Sequence, residues 1–303
     1  MKKNYTYLLM SFLVVGLLSS NASAQGAYVN VGAGFGFGDG SMSGSNSVST
    51  NDGNTQTAVF GSLGSGLNVG AGFGFMFNEN FGAELGVNYL IGSEYTNTFD
   101  GTTTTSGSGG GASITTNSGG TYSMSANLLR INPSLVVMGG GDKIKPYAKF
   151  GVMLGFGTAT VSESFTSSST DGTTTTSSEG MSTSELSGGI GFGFSGALGA
   201  SYSLNDKMSL FAEMNMNNMS WAAMSGIRLT DTSTDTDPSG TTTTNNLDGA
   251  TTFELQTNYV DEITPTSNTF ANPNVLETSP RDELKEKVGV GSVGINIGLK
   301  ISF

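Results

Sequence analysis

The chain lacks both cysteine and histidine over its 303 residues. Without cysteine it forms no disulfide, so its stability must come from other interactions. Without histidine it lacks the usual general base of hydrolases and acyltransferases. No arrangement of serine, lysine or carboxylate residues points to a substitute. We therefore predict no catalytic residue, no cofactor and no enzymatic activity.

Basic residues are also scarce: the chain has 12 lysines and arginines against 24 aspartates and glutamates, which gives a formal net charge of −12. Nucleic-acid-binding proteins need a basic surface, so no nucleic acid partner is predicted.

Asp231, Asp235 and Asp237 suggest a calcium site at first sight. The twelve-residue loop with its glycine and terminal glutamate is missing around them, so no metal site is predicted.

Long hydrophobic runs are absent apart from one short run near the N-terminus. The run from Leu8 to Leu18 follows two lysines and precedes small residues ending at Ala24, which is the pattern of a secretory signal peptide. It is shorter than the ~20 residues of a membrane-spanning helix. We predict a signal peptide over residues 1–24, cleaved between Ala24 and Gln25; no cysteine follows, which excludes a lipoprotein. Cleavage leaves 10 basic and 24 acidic residues, a charge of −14.

Glycine is abundant, with 46 residues, and it alternates with apolar and aromatic residues. The C-terminal segment VGINIGLKISF, 293–303, shows this two-residue period without a break. A two-residue period indicates a strand with one apolar and one small or polar face. Eight segments share the pattern: 27–38, 67–77, 81–92, 122–138, 145–157, 188–204, 208–217 (continuing towards Trp221) and 293–303.

The connections between these eight segments alternate strictly between short and long. Short turns lie at 78–80, 139–142 and 205–207, and long connections span 39–66, 93–121, 158–187 and 229–288. A soluble β-sandwich has no reason to sort its loops in this way. The pattern predicts an all-β fold, an eight-stranded antiparallel up-and-down transmembrane β-barrel with short periplasmic turns and long extracellular loops.

Three stretches carry a family resemblance: LLRINPSLVVMGGGDKIKPYAKFGVMLGFG (128–157), MSLFAEMNMN (208–217) and the terminal ISF. With them the chain resembles the small outer-membrane β-barrels of the OmpA-like and OmpX-like, porin-family type. The resemblance covers 25–303 as one domain. It implies a monomer embedded in outer-membrane lipid of a Gram-negative bacterium. The peptidoglycan-binding domain of OmpA is not implied, because the chain stops at the barrel.

The resemblance also assigns a role to the last strand. In the family, a final strand that ends in phenylalanine is the signal read by the barrel-assembly machinery. The residues that match are Ile297, Leu299, Ile301 and Phe303. These residues are therefore expected to serve both as an assembly signal and as a lipid-facing strand.

Five charged residues fall in the polar phase of the strands: Glu84, Arg130, Lys149, Glu213 and Lys300. A basic residue facing lipid at mid-depth costs about 2–4 kcal/mol, so all five are expected to point into the lumen. We predict ion pairs Glu84–Arg130 and Glu213–Lys300, with Lys149 reaching an acid across the lumen. Two interpretations stay open: ion pairs that close the lumen, or a gated, narrow ion path through an interior that glycine keeps roomy.

The long connections are acidic and rich in serine and threonine. They favour a structural or surface-interaction role, with contact to an extracellular ligand or host surface; the alternative is a narrow passive channel for ions or small solutes. The loops either extend the barrel wall as hairpins, turning at Asp100-Gly101 and Asp171-Gly172, or form solvated low-complexity segments. Ser279 and Pro280 predict a short helix near 280–287.

Overall fold

The structure, a computed structural model, describes residues 26–106 and 112–303. The predicted signal peptide, with its cleavage position between Ala24 and Gln25, lies outside these residues. No helix among the described residues is long and apolar enough to cross a membrane. Within the described ranges seventeen strands form one sheet. With the short helix α1 they are β1 Ala27–Gly38, β2 Met42–Thr50, β3 Gly53–Gly61, β4 Gly66–Met76, β5 Phe81–Gly92, β6 Tyr95–Thr105, β7 Ile114–Met138, β8 Ile144–Asp171, β9 Thr174–Ser187, β10 Gly191–Ser203, β11 Met208–Trp221, β12 Ser225–Thr236, β13 Thr242–Asn245, α1 Thr252–Leu255, β14 Gln256–Val260, β15 Arg281–Leu284, β16 Val288–Gly289 and β17 Ser292–Ser302.

Eight of the described strands pair in a closed circuit. The order is β1, β4, β5, β7, β8, β10, β11 and β17, and every neighbouring pair is antiparallel. The circuit closes because β17 also pairs with β1 over eleven positions, from Tyr28 opposite Ser302 to Gly38 opposite Ser292. Each of the eight therefore has a hydrogen-bonded neighbour on both sides.

The prediction of eight strands needs correction, because the sheet contains seventeen. The eight predicted segments correspond to the strands of the closed circuit, but β7 begins at Ile114 and β8 continues to Asp171. The additional strands come from the long connections. Serine and threonine occupy both faces of those segments, so they show no apolar alternation although threonine favours strands.

Most long connections form hairpins that continue the sheet beyond the circuit. The pairs are β2 with β3, β6 with β7, β8 with β9, and β12 with β9 and β13. Asp171 and Gly172 stand at the β8–β9 turn as predicted. The predicted turn at Asp100-Gly101 is wrong, since both residues lie inside β6.

The last long connection is irregular. Its helix α1 begins with a reciprocal cap, in which Thr251 Oγ1 accepts from the Glu254 backbone and the Glu254 carboxylate accepts from the Thr251 backbone. The predicted helix near 280–287 is wrong, because Arg281–Leu284 is strand β15, paired in parallel with β14. The side chain of Asn268 holds the preceding segment by donating to the Ser279 and Pro280 carbonyls at 3.2 and 3.0 Å.

The side chains of the circuit are distributed in the reverse of a soluble protein. Apolar residues on the outer face are exposed, with Phe73 and Phe150 at 56% and 64%. Along the strands of the circuit alternate residues point inward, and the polar residues Glu84 on β5 and Arg130 on β7 are only 8% and 2% exposed. The interior of the circuit is therefore the place where buried polar chemistry is concentrated.

Candidate functional site

The interior side chains follow the same order along several strands of the circuit. On β11 the inward residues, read from the short turn to the long connection, are Phe211, Glu213, Asn215, Asn217, Met219 and Trp221. On β7 apolar residues likewise flank Ser134, Asn132 and Arg130. The interior consequently has a polar band between two apolar clusters.

The two clusters lie at opposite ends of the circuit. The cluster nearer the short turns, called the lower cluster, consists of Tyr28, Met76, Val136, Met138, Tyr147 and Phe211. The cluster nearer the long connections, called the upper cluster, contains Leu63, Leu90, Met124, Ala126, Leu128, Met153, Ala159, Met219, Trp221, Ala223 and Val290. Sequence reasoning missed both. The available signal was large apolar residues in the inward phase near the ends of β7 and β11.

Two connections fold into the mouth of the circuit and complete the upper cluster. Leu63 precedes β4 and Val290 precedes β17, and both side chains are fully buried. The Leu63 backbone donates to the Gly289 carbonyl at 3.2 Å, and the Val290 backbone donates to the Met219 carbonyl at 2.8 Å. Glycine is required at Gly64, because a Cβ there would lie 2.5 Å from the Gly291 carbonyl oxygen.

Lys149 lies at the centre of the polar band and bridges two carboxylates. Its Nζ is 2.9 Å from Glu84 Oε1 and 3.2 Å from Glu213 Oε2. The three residues come from β8, β5 and β11, so one ammonium group links strands that are not neighbours in the circuit. The predicted contact of Lys149 with an acid across the lumen is present.

Neutral donors complete the hydrogen bonding of both carboxylates. The Tyr28 hydroxyl and the Asn30 amide each donate to Glu84 Oε2 at 2.9 Å. The Tyr147 hydroxyl donates to Glu213 Oε2 at 2.9 Å, and the Asn296 amide donates to Oε1 at 3.1 Å. Each buried carboxylate therefore contacts three donors, which offsets the cost of removing it from water.

The predicted pairs Glu84–Arg130 and Glu213–Lys300 do not form among the described residues. Arg130 donates instead through Nε to Asn88 Oδ1 at 2.7 Å and through Nη2 to Asn68. Lys300 Nζ lies 3.8 Å from the centroid of the Tyr28 ring. These contacts place all five charged side chains in the interior, but in a different network.

Strand register explains why the predicted pairs are wrong. Arg130 is opposite Asn88 on β5, and Glu84 is opposite Ser134 on β7. Likewise Glu213 is opposite Asn296 on β17. Each predicted partner is displaced by four residues, roughly 13 Å along a strand. The two-residue period determines whether a side chain points inward or outward, but it does not determine which residue lies opposite it on the neighbouring strand.

The polar band lines a small cavity of ≈ 110 Å³, to which Asn30, Asn88, Arg130 and Asn132 among others contribute. A cavity of this size and polarity holds a few water molecules. Among the described residues no cluster of three or more acids could hold a metal ion. The arrangement can solvate and hold charge inside the circuit, with an apolar cluster towards each end.

We expect Lys149→Met to destabilise the protein by about 3–5 kcal/mol, because it leaves two buried carboxylates without their cation. Lys300→Met is the matched control, since it removes an interior cation that contacts a ring, an interaction of about 0.5–2 kcal/mol. Urea unfolding in detergent micelles, followed through the chain's one tryptophan, measures both losses. Equal losses would contradict the bridging role of Lys149.

A family model described as "Outer membrane protein beta-barrel domain" matches residues 10–260. Among solved structures, a major outer membrane protein from Thermus thermophilus is 14% identical, with 92% of this chain and 100% of that chain covered and a TM-score of 0.29. A Pseudomonas aeruginosa FadL homologue is 6% identical, with 91% and 88% covered and a TM-score of 0.13. No curated protein matches the chain. Because the family model covers more than half of its length, the chain belongs to the outer-membrane protein β-barrel domain family.

Proposed function

We propose that the closed circuit is an eight-stranded transmembrane barrel with a structural or surface-interaction role, presenting long acidic Ser/Thr-rich loops to the outside. The family places the protein in the outer membrane of a Gram-negative bacterium. In the proposed orientation the three short turns face the periplasm and the long connections face outward. Residues 25–303 then act as one barrel domain after removal of residues 1–24.

The two apolar clusters inside the circuit are the observation that carries this proposal. The lower cluster lies at the end with the short turns, and the upper cluster lies at the end with the long connections. Most side chains of both clusters are apolar, so an ion would lose much of its hydration there, which is how hydrophobic constrictions stop conduction. The cavity between them favours a wet, closed interior over the alternative of a passive channel.

The outer face of the circuit supports a membrane-spanning position. Strands β1, β5 and β17 contain 12, 12 and 11 residues, and a tilted membrane strand needs about 9–11. Their outward residues are apolar, such as Val31, Val87 and Ile297, and are 41–63% exposed. Lipid is the environment in which such a face is stable.

The outer connections support a role in surface contact. They form a hydrogen-bonded wall of hairpins and one irregular lobe that ends in β15. In this lobe the Arg281 guanidinium lies 5.0 Å from the ring centroid of Phe270, which is 74% exposed. Aromatic and arginine side chains carry much of the binding energy at protein interfaces. This lobe is therefore the preferred contact point for an extracellular ligand or host surface.

Site-specific labelling tests the orientation. Because the chain has no native cysteine, a maleimide reacts only with the cysteine that is introduced. Thr175→Cys places a thiol beside the β8–β9 turn, and Asp206→Cys places one in a short turn; both positions are exposed. We expect a membrane-impermeant maleimide to label the Thr175→Cys protein in intact cells. The Asp206→Cys protein should react only after the outer membrane is permeabilised. The opposite pattern would overturn the orientation.

Planar-bilayer recording separates the closed barrel from the channel. We expect the unmodified protein to show no discrete conductance steps, because both apolar clusters are intact. The single variants Phe211→Ala and Trp221→Ala should also stay silent, since each leaves one cluster closed. Their combination should conduct. Regular steps from the unmodified protein would favour the channel instead.

We also propose that the residues Ile297, Leu299, Ile301 and Phe303 form the signal for the barrel-assembly machinery. Phe303 is 75% exposed, so its ring is accessible to a partner. Phe303→Asp should reduce the folded, heat-modifiable protein in the outer-membrane fraction. Phe77→Asp is the control, because Phe77 is also an exposed phenylalanine at the end with the short turns. Equal assembly of both variants would argue against a signal at the C-terminus.

A further inference from the structure

Strand β3 is the longest strand that pairs on one side only among residues 26–106 and 112–303. Its single partner is β2, which lies antiparallel to it over all nine residues, Gly53–Gly61. The other strands with one neighbour, β13, β15 and β16, contain four residues or fewer. Residues 53–58 are exposed, and so is Phe60 at 69%. The second edge of β3 therefore presents backbone N–H and C=O groups that have no strand partner.

This edge lacks the features that usually prevent pairing between molecules. Protein edge strands are protected by short length, by charged residues, by proline or by a β-bulge. The sequence of β3, GNTQTAVFG, contains no charged residue and no proline, and its register with β2 has no bulge. Threonine, valine and phenylalanine also favour strands. Such an edge is suited to accept one more strand through main-chain hydrogen bonds.

The charge around β3 restricts where a second copy of this chain can approach. The four long connections, 39–66, 93–121, 158–187 and 229–288, contain 19 acidic and 3 basic residues, a charge of −16. Within the β2–β3 hairpin, residues 40–61, Asp52 is the one charged residue. Two copies repel each other over most of the outer wall, but contact along β3 brings no like charges opposite each other.

We propose that β3 pairs antiparallel with β3 of a second copy on a facing membrane, so that the protein joins two cells. The proposal rests on the outward orientation of the long connections given above. Full overlap of the nine residues puts Thr57 opposite Thr57 of the second copy, Thr55 opposite Val59 and Gly53 opposite Gly61. Threonine pairs and pairs of β-branched residues stabilise neighbouring strands.

The direction of β3 explains why the second copy belongs to a facing membrane. The chain leaves β3 at Gly61 and enters the mouth of the circuit at Leu63, so β3 runs towards the membrane. Copies in one membrane present this strand in the same sense, whereas copies in two facing membranes present it in opposite senses. One added strand pair is weak, but many copies act together across one area of cell contact.

Aggregation of cells that carry the protein tests the pairing and its charge dependence. Raising the salt concentration from about 0.01 M to about 0.15 M shortens the Debye length from about 30 Å to about 8 Å. The acidic walls then repel less, so we expect aggregation to increase with salt. Aggregation that weakens with salt, or equal binding to cells without the protein, would overturn the proposal in favour of another partner.

Two lysine variants locate the contact. Thr57→Lys puts like charges opposite each other at the centre of the pairing, so aggregation should fall to that of cells without the protein. Thr175→Lys makes the same charge change at an exposed position beside the β8–β9 turn and should leave aggregation unchanged. Equal aggregation of the two variants would refute the role of β3. If maleimide labelling of Thr175→Cys shows an outward wall but cells stay dispersed, this inference fails and the proposed function stands.

Disulfide formation tests the register. Opposite Cα atoms in an antiparallel pair are about 4.5–5.5 Å apart, within the range of a disulfide. Two cell populations carry the Thr57→Cys protein with different N-terminal tags, so a dimer with both tags joins two cells. We expect such dimers in mixed cells under a mild oxidant. Thr55→Cys is the control, because it is offset from its own copy by four residues, roughly 13 Å. Absence of two-tag dimers from Thr57→Cys would overturn the proposal.

Discussion

The closed backbone circuit is the constraint on which the rest of the structure depends. In lipid no water is available to hydrogen-bond a free strand edge, so every backbone group must be paired within the protein. The pairing of β1 with β17 meets this requirement by joining the ends of the described chain. Once the circuit is closed, each strand has an outer face in contact with lipid and an inner face that meets seven other strands. The two faces then follow different chemical rules.

Closure makes the interior narrow, and glycine decides how it is filled. Eight strands leave room only for side chains and little else. The Tyr28 ring lies over Gly74, where a Cβ would overlap the ring. Glycine on one strand thus makes space for an aromatic side chain from the next. In this way glycine allows the interior to be filled at this position, whereas the interpretation of a gated path assigns glycine the role of keeping the interior roomy.

The sequence was informative about periodicity and uninformative about register. Alternation identified the eight circuit strands and the inward phase of all five charged residues. Alternation does not give the position of a residue along its strand relative to the neighbouring strand. The predicted pair of Arg130 with Glu84 is therefore wrong, because the register puts Asn88 opposite Arg130. The hairpins of the outer wall were underestimated for a related reason. Their two faces are both polar, as in β9, so no alternation marks them. Only the pairing with β8 shows that they are strands.

The polar band follows from the scarcity of hydrophobic runs that characterises the whole chain. Strands such as β5 and β11 contain 12 and 14 residues. If their inward residues were also apolar, two adjacent strands with their short turn would approach the length and hydrophobicity of a membrane-spanning helix, and export would stop at the inner membrane. Polar inward residues avoid this. Once folded, however, those residues are buried and must be satisfied by one another. The bridge from Lys149 to Glu84 and Glu213 is therefore the way in which these inward polar residues satisfy one another once the strands have folded.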